Sequence, residues 1–280
     1  MARTSAKSSS AKTSGAILNF SLSQPFGQTF KIGFLNIRYY SLTFVGAIIA
    51  AYLVARNRVL KAGIAEKTFE DIVFWTILIG FLSARIYYVL FYFDQYRNNL
   101  SEIYKIWHGG LAIYGGLIGG ALTLYMMCRK YKLDFFKLSD LVMLGIPIAQ
   151  AIGRLGNYFN NEAFGKPTNL PWKIFIPLNQ RPIGYENYAY YQPTFLYEII
   201  ANLIIFVLLF FIERKNKLVP GVLTALYIIF YSIARFAIEG IRLDSAYFGP
   251  FKGDQVTAVL LILLSLGLMV YLKRFRYNRV

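Results

Sequence analysis

Long apolar stretches alternate with short polar ones along most of this chain. A helix that crosses the hydrocarbon core of a bilayer needs about 20 mostly apolar residues, and seven stretches come close to that length. They are residues 37–55, 72–93, 109–128, 138–153, 194–212, 219–239 and 255–272. The pattern predicts an all-α integral membrane protein with seven transmembrane helices.

The basic residues between these stretches show a regular alternation. Fifteen of the 30 Lys and Arg fall into four clusters, which follow the first, third, fifth and seventh stretches. Cytoplasmic loops carry an excess of Lys and Arg. Seven spans, with the N-terminus outside and the C-terminus in the cytoplasm, put all four clusters on that side. The same pattern accounts for the net charge of +16 without the basic face of a nucleic-acid-binding protein.

The remaining segments complete a two-part organisation. Residues 1–32 are rich in Ser, Ala and Lys and too poor in apolar residues to offset their chain entropy, so we predict a disordered tail. Residues 33–280 form the transmembrane domain. Within it, the polar loop at 154–193 is long enough for a small extracytoplasmic cap. One Cys and one His cannot build a thiolate or imidazole zinc cage, and we expect no metal site.

Several charged residues lie in or beside the apolar stretches. Inserting a charged residue at the centre of a bilayer costs about 2.5 to 3.5 kcal/mol of free energy. Arg85 lies deep in the second stretch, so we expect it to have a function. Arg235 and Glu239 are four residues apart on one helix face and can form an intrahelical ion pair. That pairing leaves Arg85, Arg154 and Arg242 without obvious carboxylate partners. Such an excess of guanidinium groups indicates an anionic ligand, and in a membrane a phospholipid head group.

The stretch WHGGLAIYGGLIGG, residues 107–120, contains the only histidine of the chain, His108. An imidazole titrates near neutral pH, so His108 is either an acid–base group or an interfacial histidine. Two pairs of its glycines have the GxxxG spacing that permits close helix packing: Gly115 with Gly119, and Gly116 with Gly120. Gly109 instead adjoins the histidine, where it can let the backbone approach a ligand.

A second polar cluster, GRLGNYFNNEAFG at residues 153–165, follows the fourth stretch. Its Arg154, Asn157 and Glu162 suit a site that orients a hydroxylated, phosphorylated head group. A solvated loop of the same composition is the alternative.

These motifs resemble those of the bacterial prolipoprotein diacylglyceryl transferase family. The resemblance is carried by HGGLAIYGG from His108, by GRLGNYFNNEAFG from Gly153 and by YSIARFAIEGIR from Tyr231 to Arg242, with weaker matches in RYYSL from Arg38 and SARIYYVLFY from Ser83. It extends from about residue 33 to the C-terminus.

The resemblance implies a transferase that moves the diacylglyceryl group of phosphatidylglycerol to the thiol of the lipobox cysteine of a prolipoprotein. A thioether forms and glycerol phosphate leaves, which is the first step of bacterial lipoprotein maturation. No metal or dissociable cofactor is implied. The implied setting is the bacterial inner membrane, with the active site facing its outer, periplasmic half. We expect a monomer that binds both substrates and the bilayer, and no nucleic acid.

The resemblance also implies site residues. We expect His108 to take or relay the thiol proton, Arg154 and Arg235 to hold the phosphate, and Glu239 to orient Arg235. The expected head-group ligands are Asn157 and Glu162, and further expected substrate-binding residues are Gly109, Tyr40, Tyr231, Arg242 and Arg85. The identity of the base stays open, because Arg235 with Glu239 can also manage the proton through water.

The chain departs from the family pattern at three positions. Where the family commonly reads HPxQLYE, this chain has QPTFLYE, with Gln192 and Phe195 in place of His and Gln. Any mechanism that needs a histidine there cannot operate here, which gives His108 more weight. Tyr158 replaces the usual Phe.

Two other classes of protein fit the sequence less well than a prolipoprotein diacylglyceryl transferase. Intramembrane acyltransferases and phosphatidyltransferases usually show an HxxxxD pair or an aspartate-rich metal motif, and this sequence has neither. A seven-helix transporter or receptor predicts an inverted repeat or broken helices around a central ligand path, and the sequence has no internal repeat.

Overall fold

The computed structural model describes residues 27–33, 35–215, 217–243 and 245–276. Most of the predicted disordered tail, residues 1–26, lies outside these ranges. Eight α-helices form the body of the described chain. They are α1 (Tyr39–Lys61), α2 (Glu66–Phe91), α3 (Ile113–Lys130), α4 (Phe135–Met143), α5 (Gly145–Asn160), α6 (Thr194–Lys215), α7 (Val222–Glu239) and α8 (Gly253–Tyr271).

The strands are short and form three two-stranded antiparallel sheets. The pairs are β1 (Thr29–Ile32) with β2 (Leu35–Arg38), β3 (Ile174–Phe175) with β4 (Tyr190–Tyr191), and β5 (Tyr247–Phe248) with β6 (Phe251–Lys252). The segment between α2 and α3 consists of 3₁₀ turns, at Phe93–Gln95, Leu100–Ile103 and Ile106–His108.

Candidate membrane spans dominate the fold. Five helices are long and apolar enough to cross a bilayer: α1, α2, α6, α7 and α8, the last continuing to Arg274. The pair α4–α5, bent by 44°, makes a sixth if it is one broken span. The predicted all-α membrane protein is thereby confirmed. The predicted third span corresponds to α3, whose 18 residues include four glycines and end in Arg129 and Lys130. Its mean hydropathy is lower than that of the five candidate spans.

The fourth predicted span, residues 138–153, is not one straight helix. Two helices, α4 and α5, meet there at Leu144. Pro147 explains the break, since its ring conflicts with the carbonyl four residues earlier, at Met143, where α4 ends. Gly145 lies at the bend against α1: a Cβ there would be 2.7 Å from the carbonyl oxygen of Ala51. The second half, α5, runs to Asn160. Arg154 and Asn157 are therefore helical and do not belong to the predicted 154–193 loop.

Several helices extend beyond the apolar stretches that predicted them. Helices α1, α3 and α6 end at Lys61, Lys130 and Lys215. Basic residues near the end of a span can keep their charged heads in the polar interface, and their positive charge is favourable at a helix C-terminus. Hydropathy therefore locates the part of a helix suited to hydrocarbon, and not its hydrogen-bonded length.

The two ends of the helix bundle differ in character. The basic end holds the C-termini of α1, α3 and α6, with the short turns that follow them. The cap end holds the 3₁₀ segment before α3, residues 161–193 and the β5–β6 hairpin. Residues 161–193 carry a core of their own, built from buried residues that include Phe164, Ile176 and Tyr191.

The GxxxG prediction is confirmed at the α2–α3 interface. Gly115 and Gly119 are buried, and a Cβ on Gly115 would lie 2.6 Å from the carbonyl oxygen of Ser83. A Cβ on Gly80 would meet Gly116 in turn, at 3.5 Å from its carbonyl oxygen. The small residues let the two backbones approach, as van der Waals packing between membrane helices requires.

Two carboxylates explain much of the order at the basic end. The Asp140 side chain accepts hydrogen bonds from the backbone N–H of Gly221 (2.7 Å) and of Thr224 (2.8 Å), so it caps the N-terminus of α7. Glu213 on α6 accepts from Arg58 of α1, at 2.5 Å for the Nη2 to Oε1 contact. Arg58 also donates to backbone carbonyls beside the α4–α5 bend.

Candidate active site

Four helices bring their charged residues together at the cap end. Glu198, in the second turn of α6, is 3% exposed and receives three guanidinium groups. Nη1 of Arg235 and Nη1 of Arg242 lie 2.7 and 3.1 Å from its Oε1, and Nε of Arg154 pairs with its Oε2. Glu198 is thus the common partner of all three arginines.

Arg235 is the most connected of the three. Its Nη2 lies 2.9 Å from Oε2 of Glu239, one turn further along α7, and it also pairs with Oδ2 of Asp254 at the start of α8. The predicted ion pair between Arg235 and Glu239 is confirmed. It is one link of a network, since Glu239 also lies 3.9 Å from Nε of Arg242.

The prediction that Arg154 and Arg242 lack carboxylate partners is wrong. Among the described residues, three arginines face three carboxylates, Glu198, Glu239 and Asp254. Lys252 supplies the surplus positive charge nearby, donating to the backbone carbonyls of Glu239 (2.6 Å) and Arg242 (2.7 Å). The sequence did carry a signal for Glu198, because a carboxylate within TFLYEIIANLII needs a buried partner.

Two buried oxygens of this arginine–carboxylate cluster are held by ion pairs alone. Oε2 of Glu198 and Oε2 of Glu239 are buried and, among the described residues, accept no hydrogen bond of good geometry, although each is close to a guanidinium group. Both oxygens therefore hold guanidinium groups in place inside the bundle.

Arg154 links the cluster to the second polar motif. Its Nη1 donates to Oδ1 of Asn157 (3.4 Å), and Nδ2 of Asn157 donates to Oε1 of Glu162 (2.8 Å). Tyr40 of α1 borders the same part of α5, where a Cβ on Gly156 would meet its ring carbon Cδ2 at 2.6 Å. The structure therefore brings Arg154, Asn157 and Glu162 together, with Tyr40 beside them.

Tyr231 lies one turn before Arg235 on α7, as its spacing predicts. With Glu198 and Arg235 it lines a small cavity between α6 and α7. Asn202 lines this cavity too, and its Oδ1 is buried with no hydrogen-bond partner among the described residues. Polar groups therefore continue behind the arginines, away from the cap.

His108 belongs to a separate polar group in the segment between α2 and α3. Its Nδ1 lies 2.6 Å from Oε2 of Glu102, and the other oxygen of Glu102 accepts from Nζ of Lys105 at 2.7 Å. The hydrogen bonds from Lys105 and then His108 lower the pKa of the Glu102 carboxyl. The imidazole is 55% exposed, and Glu102 and Trp107 are the partners of its ring among the described residues.

Arg85 holds this segment in place. It is 6% exposed and donates to four backbone carbonyls, those of Glu102 (2.6 Å), Ile103 (2.9 Å), Gly109 (2.5 Å) and Gly110 (2.8 Å). Gly109 and Gly110 have φ of +90° and +79°, which favours glycine. A close approach that needs the absence of a side chain occurs at Gly110, where a Cβ would be 2.4 Å from Nη1 of Arg85, and not at Gly109, which has nothing within 4 Å of its Cβ position.

The structure divides the predicted site residues into two groups. Arg154, Asn157, Glu162, Arg235, Glu239 and Arg242 form one hydrogen-bonded and ion-paired set, flanked by Tyr40 and Tyr231. His108, Gly109 and Arg85 form another. Both groups lie at the cap end, yet His108 makes no hydrogen bond or ion pair with the described arginines of the first group. Glu198, Asp254 and Glu102 were not predicted as site residues.

Two of the departures from the family pattern contact each other. The rings of Tyr158 and Phe195 are 5.7 Å apart, and Phe195 is buried in the core of residues 161–193. Gln192 contributes backbone hydrogen bonds to Gly165 and Lys166. These exchanges therefore lie in the packing of the cap, beside the cluster and outside its ion pairs.

Comparison with known proteins agrees with the motifs. A sequence model described as prolipoprotein diacylglyceryl transferase matches residues 28–271. A phosphatidylglycerol–prolipoprotein diacylglyceryl transferase of Fervidobacterium nodosum is 43% identical over 244 residues, covering 87% of this chain and 84% of its own length. Enzymes of the same name from Listeria innocua (44% over 250 residues) and Synechocystis (41% over 254 residues) each cover 89% of this chain and 90% of their own length. The chain belongs to the prolipoprotein diacylglyceryl transferase family.

Proposed function

We propose that this protein transfers the diacylglyceryl group of phosphatidylglycerol to the lipobox cysteine of prolipoproteins. The thiolate sulfur forms a bond to the glycerol carbon that carries the phosphate, the bond from that carbon to oxygen breaks, and glycerol phosphate leaves with the electron pair. The thiol proton passes to a base. Family membership supports the reaction. The single structural observation that carries it is the convergence of Arg154, Arg235 and Arg242 at one end of a membrane bundle.

The arginines suit the leaving group. Negative charge grows on the phosphate oxygens as the carbon–oxygen bond breaks, and donors already fixed in place stabilise it without reorganisation. We assign the phosphate to Arg154 and Arg235. Glu198 and Glu239 keep the guanidinium groups in position, and Arg242 adds charge from the same carboxylates.

The glycerol head group is assigned to the neighbouring polar residues. Asn157 and Glu162 are already hydrogen-bonded to each other (2.8 Å) next to Arg154, and together they offer a donor and acceptors to two hydroxyl groups. Tyr40 and Tyr231 flank this position as further substrate contacts. The Asn157→Asp variant, which turns a donor into a second carboxylate beside Glu162, is expected to lose most of its activity.

For the proton we propose His108, with Glu102 as its orienting partner. The 2.6 Å contact fixes Nδ1 of the imidazole and leaves Nε2 to accept a proton, which is the usual arrangement of a base held by a third group. Arg85 and Gly109 act indirectly in this proposal, by holding the segment. Because His108 lies outside the arginine–carboxylate cluster, the thiol must enter between the two groups.

The base assignment has a direct test. Thioether formation on a lipobox peptide is measured for His108→Gln and for Glu102→Gln. Loss of turnover by His108→Gln, with a smaller loss for Glu102→Gln, agrees with the assignment. Near-normal turnover of His108→Gln excludes His108 as the base. Water held by Arg235 and Glu239 would then be the proton acceptor.

We also propose the membrane arrangement that these roles need. Helix α3 crosses beside α2 as a seventh span, the N-terminus lies outside, and the C-terminus is in the cytoplasm of a bacterial inner membrane. The cap end then faces the periplasmic half and the basic end the cytoplasm, in agreement with the positive-inside rule. The protein acts as a monomer. Labelling single cysteines placed at Ser101 and Lys132 from either side of the membrane tests the orientation.

The reaction is tested with labelled phosphatidylglycerol and a lipobox peptide, together with a peptide whose cysteine is replaced by serine. Glycerol phosphate release and a matching mass increase are expected with the cysteine peptide alone. Release of fatty acid would indicate an acyltransferase, and transfer of the phosphate would indicate a phosphatidyltransferase. No release with either peptide would contradict the proposed function.

A further inference from the structure

One carboxylate of the arginine–carboxylate cluster differs from the others in exposure. Asp254 stands in the first turn of α8 and pairs with Nη2 of Arg235, the same nitrogen that lies 2.9 Å from Glu239. Its side chain is 41% exposed, against 3% for Glu198 and 1% for Glu239. Asp254 is therefore the carboxylate that covers Nη2 of Arg235 from the solvent side.

The backbone around Asp254 is tied to α7, while its side chain is partly open to solvent. Lys252 is held by the carbonyls of Glu239 and Arg242, and Nε2 of Gln255 donates to the carbonyl of Phe236 at 3.1 Å. Both contacts tie the start of α8 to the end of α7. A carboxylate in the first turn of a helix is also favoured by the helix dipole, so Asp254 keeps a suitable environment when it leaves Arg235.

We propose that Asp254 competes with the substrate phosphate for Nη2 of Arg235. The inference rests on the proposed function, because it takes the phosphodiester of phosphatidylglycerol as the ligand of Arg235. An arriving phosphate displaces the Asp254 carboxylate, and the carboxylate returns as glycerol phosphate departs. Asp254 thereby weakens the binding of phosphatidylglycerol and of glycerol phosphate, and it speeds product release. It sets the affinity of the site without touching the reacting atoms.

The test is the Asp254→Asn variant, whose neutral amide is a poor competitor for a guanidinium group. The apparent KM for phosphatidylglycerol is expected to fall about fivefold, and the inhibition constant of glycerol phosphate by the same factor, for an exposed ion pair worth up to about 1 kcal/mol. Asp254→Glu retains the charge and is expected to stay near the wild type. Asp94→Asn is the control for charge, since Asp94 is 90% exposed and pairs with Arg97.

A purely structural role for Asp254 predicts the opposite result, because a loosened Arg235 would bind phosphate more weakly. An unchanged or raised KM and inhibition constant in Asp254→Asn overturn the inference. If that variant does not fold, Asp254→Ala is measured, with the same expectation.

The two proposals fail separately. A wild-type protein that releases no glycerol phosphate contradicts the proposed function. Titration calorimetry with inorganic phosphate on the purified wild type and Asp254→Asn measures the competition without turnover. Tighter binding by the variant agrees with the inference, and equal or weaker binding overturns it.

Discussion

Replacing Glu198 by Gln removes the carboxylate that three arginines share. Glutamine keeps the shape of the side chain, and its one oxygen can still accept a hydrogen bond. Its NH₂ group, however, must face a guanidinium group at the position where Oε2 now faces Arg154. Two donors then oppose each other at a position that is 3% exposed. Among the described residues, three guanidinium charges remain with two carboxylates.

The size of the effect follows from this burial. Removing one partner of a buried ion pair costs about 3 to 5 kcal/mol. Three separate charge-assisted hydrogen bonds at about 1.5 to 3 kcal/mol each would give a larger sum, but Glu239 and Asp254 take up part of the freed charge. We therefore expect a loss of about 3 kcal/mol in the free energy of unfolding, or about 5 °C in Tm for a chain of this size.

The assay is thermal unfolding of the purified protein in detergent, followed by tryptophan fluorescence, with glycerol phosphate release measured in parallel. Glu213→Gln is the matched control, because Glu213 lies on the same helix and pairs with Arg58, but its side chain is 34% exposed. Its loss is expected to stay near 1 kcal/mol, with activity retained. Glu198→Gln is expected to lose both stability and turnover.

A Glu198→Gln variant that unfolds within about 2 °C of the wild type and turns over normally would refute this reasoning. Equal losses in the Glu198 and Glu213 variants would also refute it, since burial would then not determine the size of the effect.

Three further predictions concern the scaffold and the His108 segment. Asp140→Ala removes the side chain of α4 that caps the N-terminus of α7 and is expected to cost about 1 kcal/mol, measured as a fall in Tm. Gly119→Val drives a side chain into α2 and is expected to cost at least about 1 to 3 kcal/mol. Gly267→Val, with nothing within 4 Å of its Cβ position, is the matched control and should cost little; equal effects would contradict the packing. The hydrogen bonds from Lys105 and His108 lower the pKa of Glu102 in the folded protein. They therefore stabilise the folded segment fully above the unfolded pKa of 4.5, and this stabilisation is lost as the pH falls through the lower pKa of the folded state. The ¹⁵N signal of the single histidine, His108, should report that change in the wild type and lose it in Glu102→Gln.

Much of the site was predictable from local spacing. Arg235 and Glu239 share a helix face because they are four residues apart, and Arg154 and Asn157 do so at three. What could not be predicted is the partner of each charge across helices. Glu198 is 37 residues from Arg235 and 44 from Arg242, and no local pattern encodes that proximity. The exposed Asp254 gave less signal still, because a carboxylate at a helix start is ordinary in solvent.

Hydropathy, charge and motifs were enough to identify a membrane helix bundle, its basic end and its family. These properties depend on hydropathy, charge and motif order, each of which is read along the chain. The fold was needed to show that the described arginines are paired with carboxylates, that Arg85 holds a backbone loop, and that His108 lies apart from the arginine–carboxylate cluster. A buried charge is satisfied by whichever group the packing brings within about 3 Å, and packing joins residues that are distant in sequence.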